Sequence, residues 1–105
     1  MNRYTIYCTE EQTRKAFELG APIEIFNADG NIEIIEPTAE QMIGWLRKEM
    51  KLAISIDYNI QNNILVWFYS IFNFAYSNTF SEPEEATLAA IDAALDYLVN
   101  NKLLK

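Results

Sequence analysis

The chain has 105 residues, half of them hydrophobic, with 15 acidic residues against 8 basic ones, no histidine and a formal charge of -7. That length and apolar content describe a single domain over 1–105 that needs no metal or disulfide staple. The charge repels a phosphate backbone, which argues against nucleic-acid binding, and the missing histidine removes the commonest general base and metal ligand.

After Tyr4 to Tyr7, Thr9 with Gln12 three residues later forms a capping box, so the sequence predicts a first helix there. Ala16, Phe17 and Leu19 supply its apolar stripe, and Gly20 with Pro22 ends it. Ile23 and Ile25, then Ile32 and Ile34, flank Asn27-Ala28-Asp29-Gly30, the signature of a hairpin with all four isoleucines on one face and Glu24, Phe26 and Glu33 on the other.

Thr38 and Gln41 make a second capping box after Pro37 and open a helix with Met42, Ile43, Leu46 and Met50 at helical spacing, widened by Trp45. Leu52, Ile54, Ile56 and Tyr58 alternate with Ala53, Ser55 and Asp57, the period of a strand, and Asn59 to Asn63 read as a turn. From Leu65 to Tyr76 both parities are apolar, which predicts a strand covered on both faces. Ser81 and Glu84, with Pro83 between them, suggest a third capping box and a helix to about Asn100 whose buried stripe is Leu88, Ile91, Leu95, Leu98 and Val99.

The expected fold is α+β in two layers: an antiparallel sheet of about four strands in two hairpins, with three helices, in the order α-β-β-α-β-β-α. Helices two and three are expected on one face of the sheet, and the position of helix one stays open.

Chemical motifs are sparse. The three glycines stand singly at Gly20, Gly30 and Gly44, so no phosphate-cradling loop is present. Cys8 precedes a helix start, where a thiol can be activated, but a lone cysteine with no histidine is more often a small buried side chain. Glu24, Glu33 and Glu36 lack diagnostic ligand spacing. No metal and no cofactor is therefore expected.

Lone Cys8 also points to a reducing compartment, and the run Ile64 to Tyr76 is too short to cross a bilayer, so the sequence reads as a cytoplasmic protein without membrane contact. The feature with functional content is the second apolar face of the aromatic strand, carrying Val66, Phe68, Phe72, Phe74 and Tyr76. A strand with two apolar faces needs two covers, and either a second copy of the chain or helix one and the N-terminal segment can supply the second.

Pro37-Thr38-Ala39-Glu40-Gln41-Met42, Trp45-Leu46-Arg47, Leu52-Ala53-Ile54-Ser55-Ile56-Asp57, Ser81 with Glu84-Glu85-Ala86, and Ala90-Ile91 with Ala94-Leu95 together carry a resemblance over roughly 37–98. In these segments the chain resembles small uncharacterised proteins of prophages and mobile elements in gut Bacteroidetes. The resemblance implies a cytosolic protein of phage or mobile-element origin and carries over no catalytic residue.

The sequence thus favours a non-catalytic protein-interaction module, forming a homodimer through its aromatic sheet face. A sharper form has Glu82, Glu84, Glu85, Asp92 and Asp96 line an acidic ridge that mimics nucleic acid. The alternative is a carboxylate enzyme using Glu24, Glu33 and Asp57.

Overall fold

The computed structural model describes residues 5–22, 25–28, 31–34, 36–71, 75–76 and 78–101, with side chains for 5–22, 36–71 and 78–100. Two capping boxes of one form start the first two helices. In α1, Glu10–Glu18, the Gln12 amide donates to Thr9 Oγ1 at 3.1 Å and the Thr9 amide to Gln12 Oε1 at 3.0 Å. In α2, Ala39–Lys48, Thr38 and Gln41 repeat both bonds at 3.1 and 3.0 Å. The two starts are joined: the Cys8 amide donates to Pro37 O at 3.0 Å and the Ala39 amide to Ile6 O at 2.7 Å. One backbone clasp therefore orients two helices.

The strands are β1 (Ile25–Ala28), β2 (Asn31–Ile34), β3 (Ile54–Gln61), β4 (Ile64–Ile71) and β5 (Ala75–Tyr76). β1 pairs antiparallel with β2, with Ile25 opposite Ile34 and Phe26 opposite Glu33. β3, β4 and β5 form a second antiparallel sheet in that order, with Ile54 opposite Ile71 and Gln61 opposite Ile64.

The last helix, α3 (Pro83–Asn101), begins with proline at its first position, where the missing amide costs nothing. It lies against β3 and β4 on the face that carries Ile54, Ile56, Tyr69 and Ile71. Ala86, Ala90 and Ala94 are fully buried at four-residue spacing, and small side chains there let Ile91, Leu95 and Leu98 reach the core. α2 packs on α3 and β3. α1 docks on α3: Gln12 Nε2 donates to Leu88 O at 2.9 Å and to Asp92 Oδ1 at 2.8 Å, and Lys15 Nζ lies 2.7 Å from Asp96 Oδ1.

Several expectations are corrected. The single sheet of about four strands does not form; the described strands divide between a two-stranded and a three-stranded sheet. The physical reason is that β4 fills its second edge with its own chain. β5 returns along it, and beyond β5 Trp67 and Phe80 exchange backbone hydrogen bonds at 2.8 and 2.7 Å. The expected strand from Leu65 to Tyr76 is thus split, with β4 ending at Ile71 and Tyr76 on β5.

The turn expected over Asn59 to Asn63 contracts to Asn62 and Asn63, at φ 53° and 65°. Two left-handed residues make the tight turn whose twist suits a hairpin, and asparagine tolerates that conformation, so Asn59 to Gln61 remain in the strand. Ser81 does not form the expected box; its hydroxyl donates to Glu85 Oε1 at 3.3 Å, and the helix starts at Pro83. Phe17 and Val99, expected in buried stripes, are exposed.

Candidate interaction surface

β3 and β4 have eight residues each, and the helices cover only the end of the hairpin nearest α2 and α3. The covered face continues outward through side chains of the same parity, because partners in an antiparallel pair share a face. Ile54 and Ile71 are buried, Ile56 and Tyr69 are half-buried, and then Tyr58, Ile60 and Leu65 stand 65%, 66% and 47% exposed. Tyr58 tilts against Trp67 at 5.3 Å between ring centroids, which holds the outer part of the surface together. Ile64, 61% exposed, adds apolar area on the opposite face at the tip.

The outer edge of β3 is the second component of the surface. A two-residue turn makes Gln61 and Ile64 a hydrogen-bonded pair, so Asn59 with Val66 and Asp57 with Phe68 follow as hydrogen-bonded pairs. The backbone groups of Ile54, Ile56, Tyr58 and Ile60 consequently point away from β4. At Ile54 this edge is closed, since Arg47 donates to its carbonyl from Nε at 3.1 Å and from a terminal nitrogen at 2.7 Å. The Ile60 amide donates to Asn59 Oδ1 at 2.8 Å. Among the described residues no strand pairs with this edge.

Edge strands are usually guarded by lysine, proline or a bulge. Of the chain's 15 acidic and 8 basic residues, Asp57 alone lies between Leu52 and Ser81, and that interval has no proline. Asp57 sits on the face away from the helices, where its carboxylate accepts from Ser55 Oγ at 2.9 Å. This gap in the charge pattern was readable in the sequence as the signal for the surface. What sequence reasoning missed was the identity of the exposed residues: Tyr58 read as core because its alternation is the same as that of Ile54, and Ile60 fell within the expected turn.

Of the residues the sequence singled out, Val66 and Phe68 are half-buried on β4, on the face away from α3. Tyr76 lies on β5, and Phe72 and Phe74 fall outside the described residues. Of the carboxylate set, Asp57 is exposed on β3 and Glu33 lies on β2 in the other sheet, while Glu24 is outside the described residues.

Cys8 is 3% exposed, and burial first, then the charges of Glu36 and Asp92, push its thiol up to about 11, opposite to activation. In the acidic series, Asp92 and Asp96 are engaged by Gln12 and Lys15 of α1, while Glu82, Glu84 and Glu85 cluster at the start of α3. The concave surface between the N-terminal segment and α2, lined by Thr5, Thr38, Glu40, Ile43, Arg47 and Thr87 among others, brings one carboxylate and no nucleophile–base pair. Among the described residues no three cysteine, aspartate or glutamate side chains converge as a metal site, and no helix is long and apolar enough to cross a membrane.

Comparison with protein-family models, with curated proteins and with solved structures finds no match to this chain.

Proposed function

We propose that the chain is a non-catalytic protein-interaction module that binds through the outer half of the β3–β4 hairpin. The observation that carries this reading is the run of exposed apolar side chains Tyr58, Ile60 and Leu65 on one face, with Ile64 on the other face at the tip, in a segment whose one charge is Asp57. Scattered exposed apolar residues are ordinary, but a contiguous cluster beside an unguarded strand edge is the composition of a surface that spends its time covered. The lone, buried Cys8 favours a reducing cytoplasm as the setting, and the resemblance over 37–98 favours phage or mobile-element origin.

The test is paired capture on the tagged wild-type chain and on an Ile60→Lys, Leu65→Lys double variant, with self-association scored beside other bound proteins. Both positions are solvent-exposed, so thermal unfolding should show the variant folded. The expected result is that associations made by the wild-type chain are lost in the variant. Survival of every association in the variant, or no association by either chain, overturns the reading.

A further inference from the structure

The geometry points to a second copy of this chain as the occupant of the β3 edge, paired antiparallel about a two-fold axis at Tyr58 so that the two three-stranded sheets join into one of six. The inference rests on the interaction-module reading and specifies its partner and register. It also differs from stacking of the aromatic sheet faces, because the contact lies in the plane of the sheet.

Register follows from where the edge is open. Arg47 occupies the Ile54 carbonyl, and the turn begins at Asn62, so the edge runs over Ile56, Tyr58 and Ile60 with Tyr58 at its centre, the Ile60 amide exchanging its bond to Asn59 Oδ1 for one to the second copy. Antiparallel pairing about that centre sets Tyr58 against Tyr58 and Ile56 against Ile60 of the second copy, as hydrogen-bonded pairs. Between them Asp57 faces Asn59 of the second copy at the closer, non-hydrogen-bonded spacing.

The segment Ile56-Asp57-Tyr58-Asn59-Ile60 is thus its own complement: isoleucine meets isoleucine, and the Asn59 amide offers donors where Asp57 offers acceptors. A register centred on Asp57 would oppose two carboxylates, and one centred on Asn59 would set each Asp57 against Gln61 and shorten the ladder. A strand from an unrelated protein has no reason to match this pattern, whereas a second copy matches it by construction.

The apolar surface closes under the same operation. A two-fold axis perpendicular to the sheet keeps both sets of helices on one face and reverses strand direction. The uncovered Tyr58, Ile60 and Leu65 of each copy then lie beside the helix-covered end of the other. Each Asn62-Asn63 turn arrives at the shallow recess lined by Arg47, Lys51, Leu52, Ala53 and Ile54. Charge does not oppose this contact, because the net -7 is carried outside the interval from Leu52 to Ser81 except for Asp57.

The experiment is sedimentation of the purified full chain together with cysteine pairing across the proposed contact. Wild-type protein is expected to sediment at twice its 12.2 kDa mass as concentration rises. A Tyr58→Cys variant is expected to form a disulfide-linked dimer under mild oxidation, since its two copies stand at a Cα spacing of about 5.5 Å. An Ile60→Cys variant, whose copies stand four residues apart along the ladder at about 13 Å, should link only when mixed with Ile56→Cys.

Monomeric wild-type protein at every concentration overturns the pairing, including the case in which a different protein is captured through the hairpin, and leaves the interaction-module reading to the capture test. A wild-type dimer whose Tyr58→Cys variant also sediments as a dimer without cross-linking overturns the edge contact in favour of another surface.

Discussion

Gln12 and Gln41 occupy the same place in the same capping box, yet alanine should be several times more damaging at the first than at the second. Gln41 is exposed and its Oε1 holds the Thr38 amide, so Gln41→Ala should cost about 0.5–1 kcal/mol. Gln12 is 1% exposed and performs that capping task, while its Nε2 also donates to Leu88 O and to the Asp92 carboxylate. The bond to a charged acceptor contributes about 1.5–3 kcal/mol, taken at the lower end because Asp92 faces water. The Leu88 carbonyl adds about 0.5–1 kcal/mol, so with the cap Gln12→Ala should cost about 2.5–3.5 kcal/mol. Urea unfolding reads the contrast as a midpoint drop of about 2 M against about 0.5 M. Gln12→Glu, which would place a second carboxylate against Asp92, should be no better than alanine. Equal losses in the two alanine variants, within about 1 kcal/mol, would refute the claim that this one side chain both caps α1 and anchors it to α3.

Other outcomes follow from the same packing. Ile91→Ala, at a fully buried position between α3 and the sheet, should lower unfolding stability by about 3–4 kcal/mol, and a loss under about 1 kcal/mol would contradict its place in the core. Lys51 leaves α2 at φ 61°, a conformation that favours glycine, so Lys51→Gly should raise stability by about 0.5–1 kcal/mol despite losing the 3.0 Å bond from its Nζ to Lys48 O; a lower melting temperature would count against it. The native chain should hold the Cys8 proton that the unfolded chain releases above 9.0, so stability present below that pH should fall by about 2–3 kcal/mol as pH rises toward about 11. Lys15, raised first by its hydrogen bond from Nζ to Asp96, and Tyr69, raised first by burial, act in the same direction; Cys8→Ala should flatten part of the decline, and an unchanged slope would contradict the assignment.

The parts of the fold written locally were legible. Thr9 with Gln12 and Thr38 with Gln41 are short-range patterns whose hydrogen bonds need only adjacent residues, and both helices begin beside them. The stripe of Met42, Ile43 and Leu46 on α2 is likewise a matter of spacing, and those residues are buried. What was not legible depends on distant chain. Nothing around Ile71 announces that β5 will turn back and take the edge that a second hairpin would need. Gln12 and Thr13 are buried with their polar groups satisfied by α3, by Thr9 and by the capping box, so α1 buries a polar face while Phe17, placed in the apolar stripe by its spacing, faces water. Tyr58 follows the alternation of Ile54 without slip; only the relative lengths of the strands and of the helices over them decide which one is covered. The candidate surface shows the same division, with the aromatic strand apparent from its composition and the reach of the hairpin beyond the helices apparent only in three dimensions.

Amide hydrogen exchange along β3 tests the central claim on the unmodified chain. Asp57 and Asn59 donate toward β4 and should be protected at any concentration, while the outward amides of Ile56 and Tyr58 should become protected as the protein is concentrated. Free exchange at Ile56 and Tyr58 in concentrated protein, with Asp57 and Asn59 still protected, would show an edge that meets only water and would contradict the assembly drawn from it.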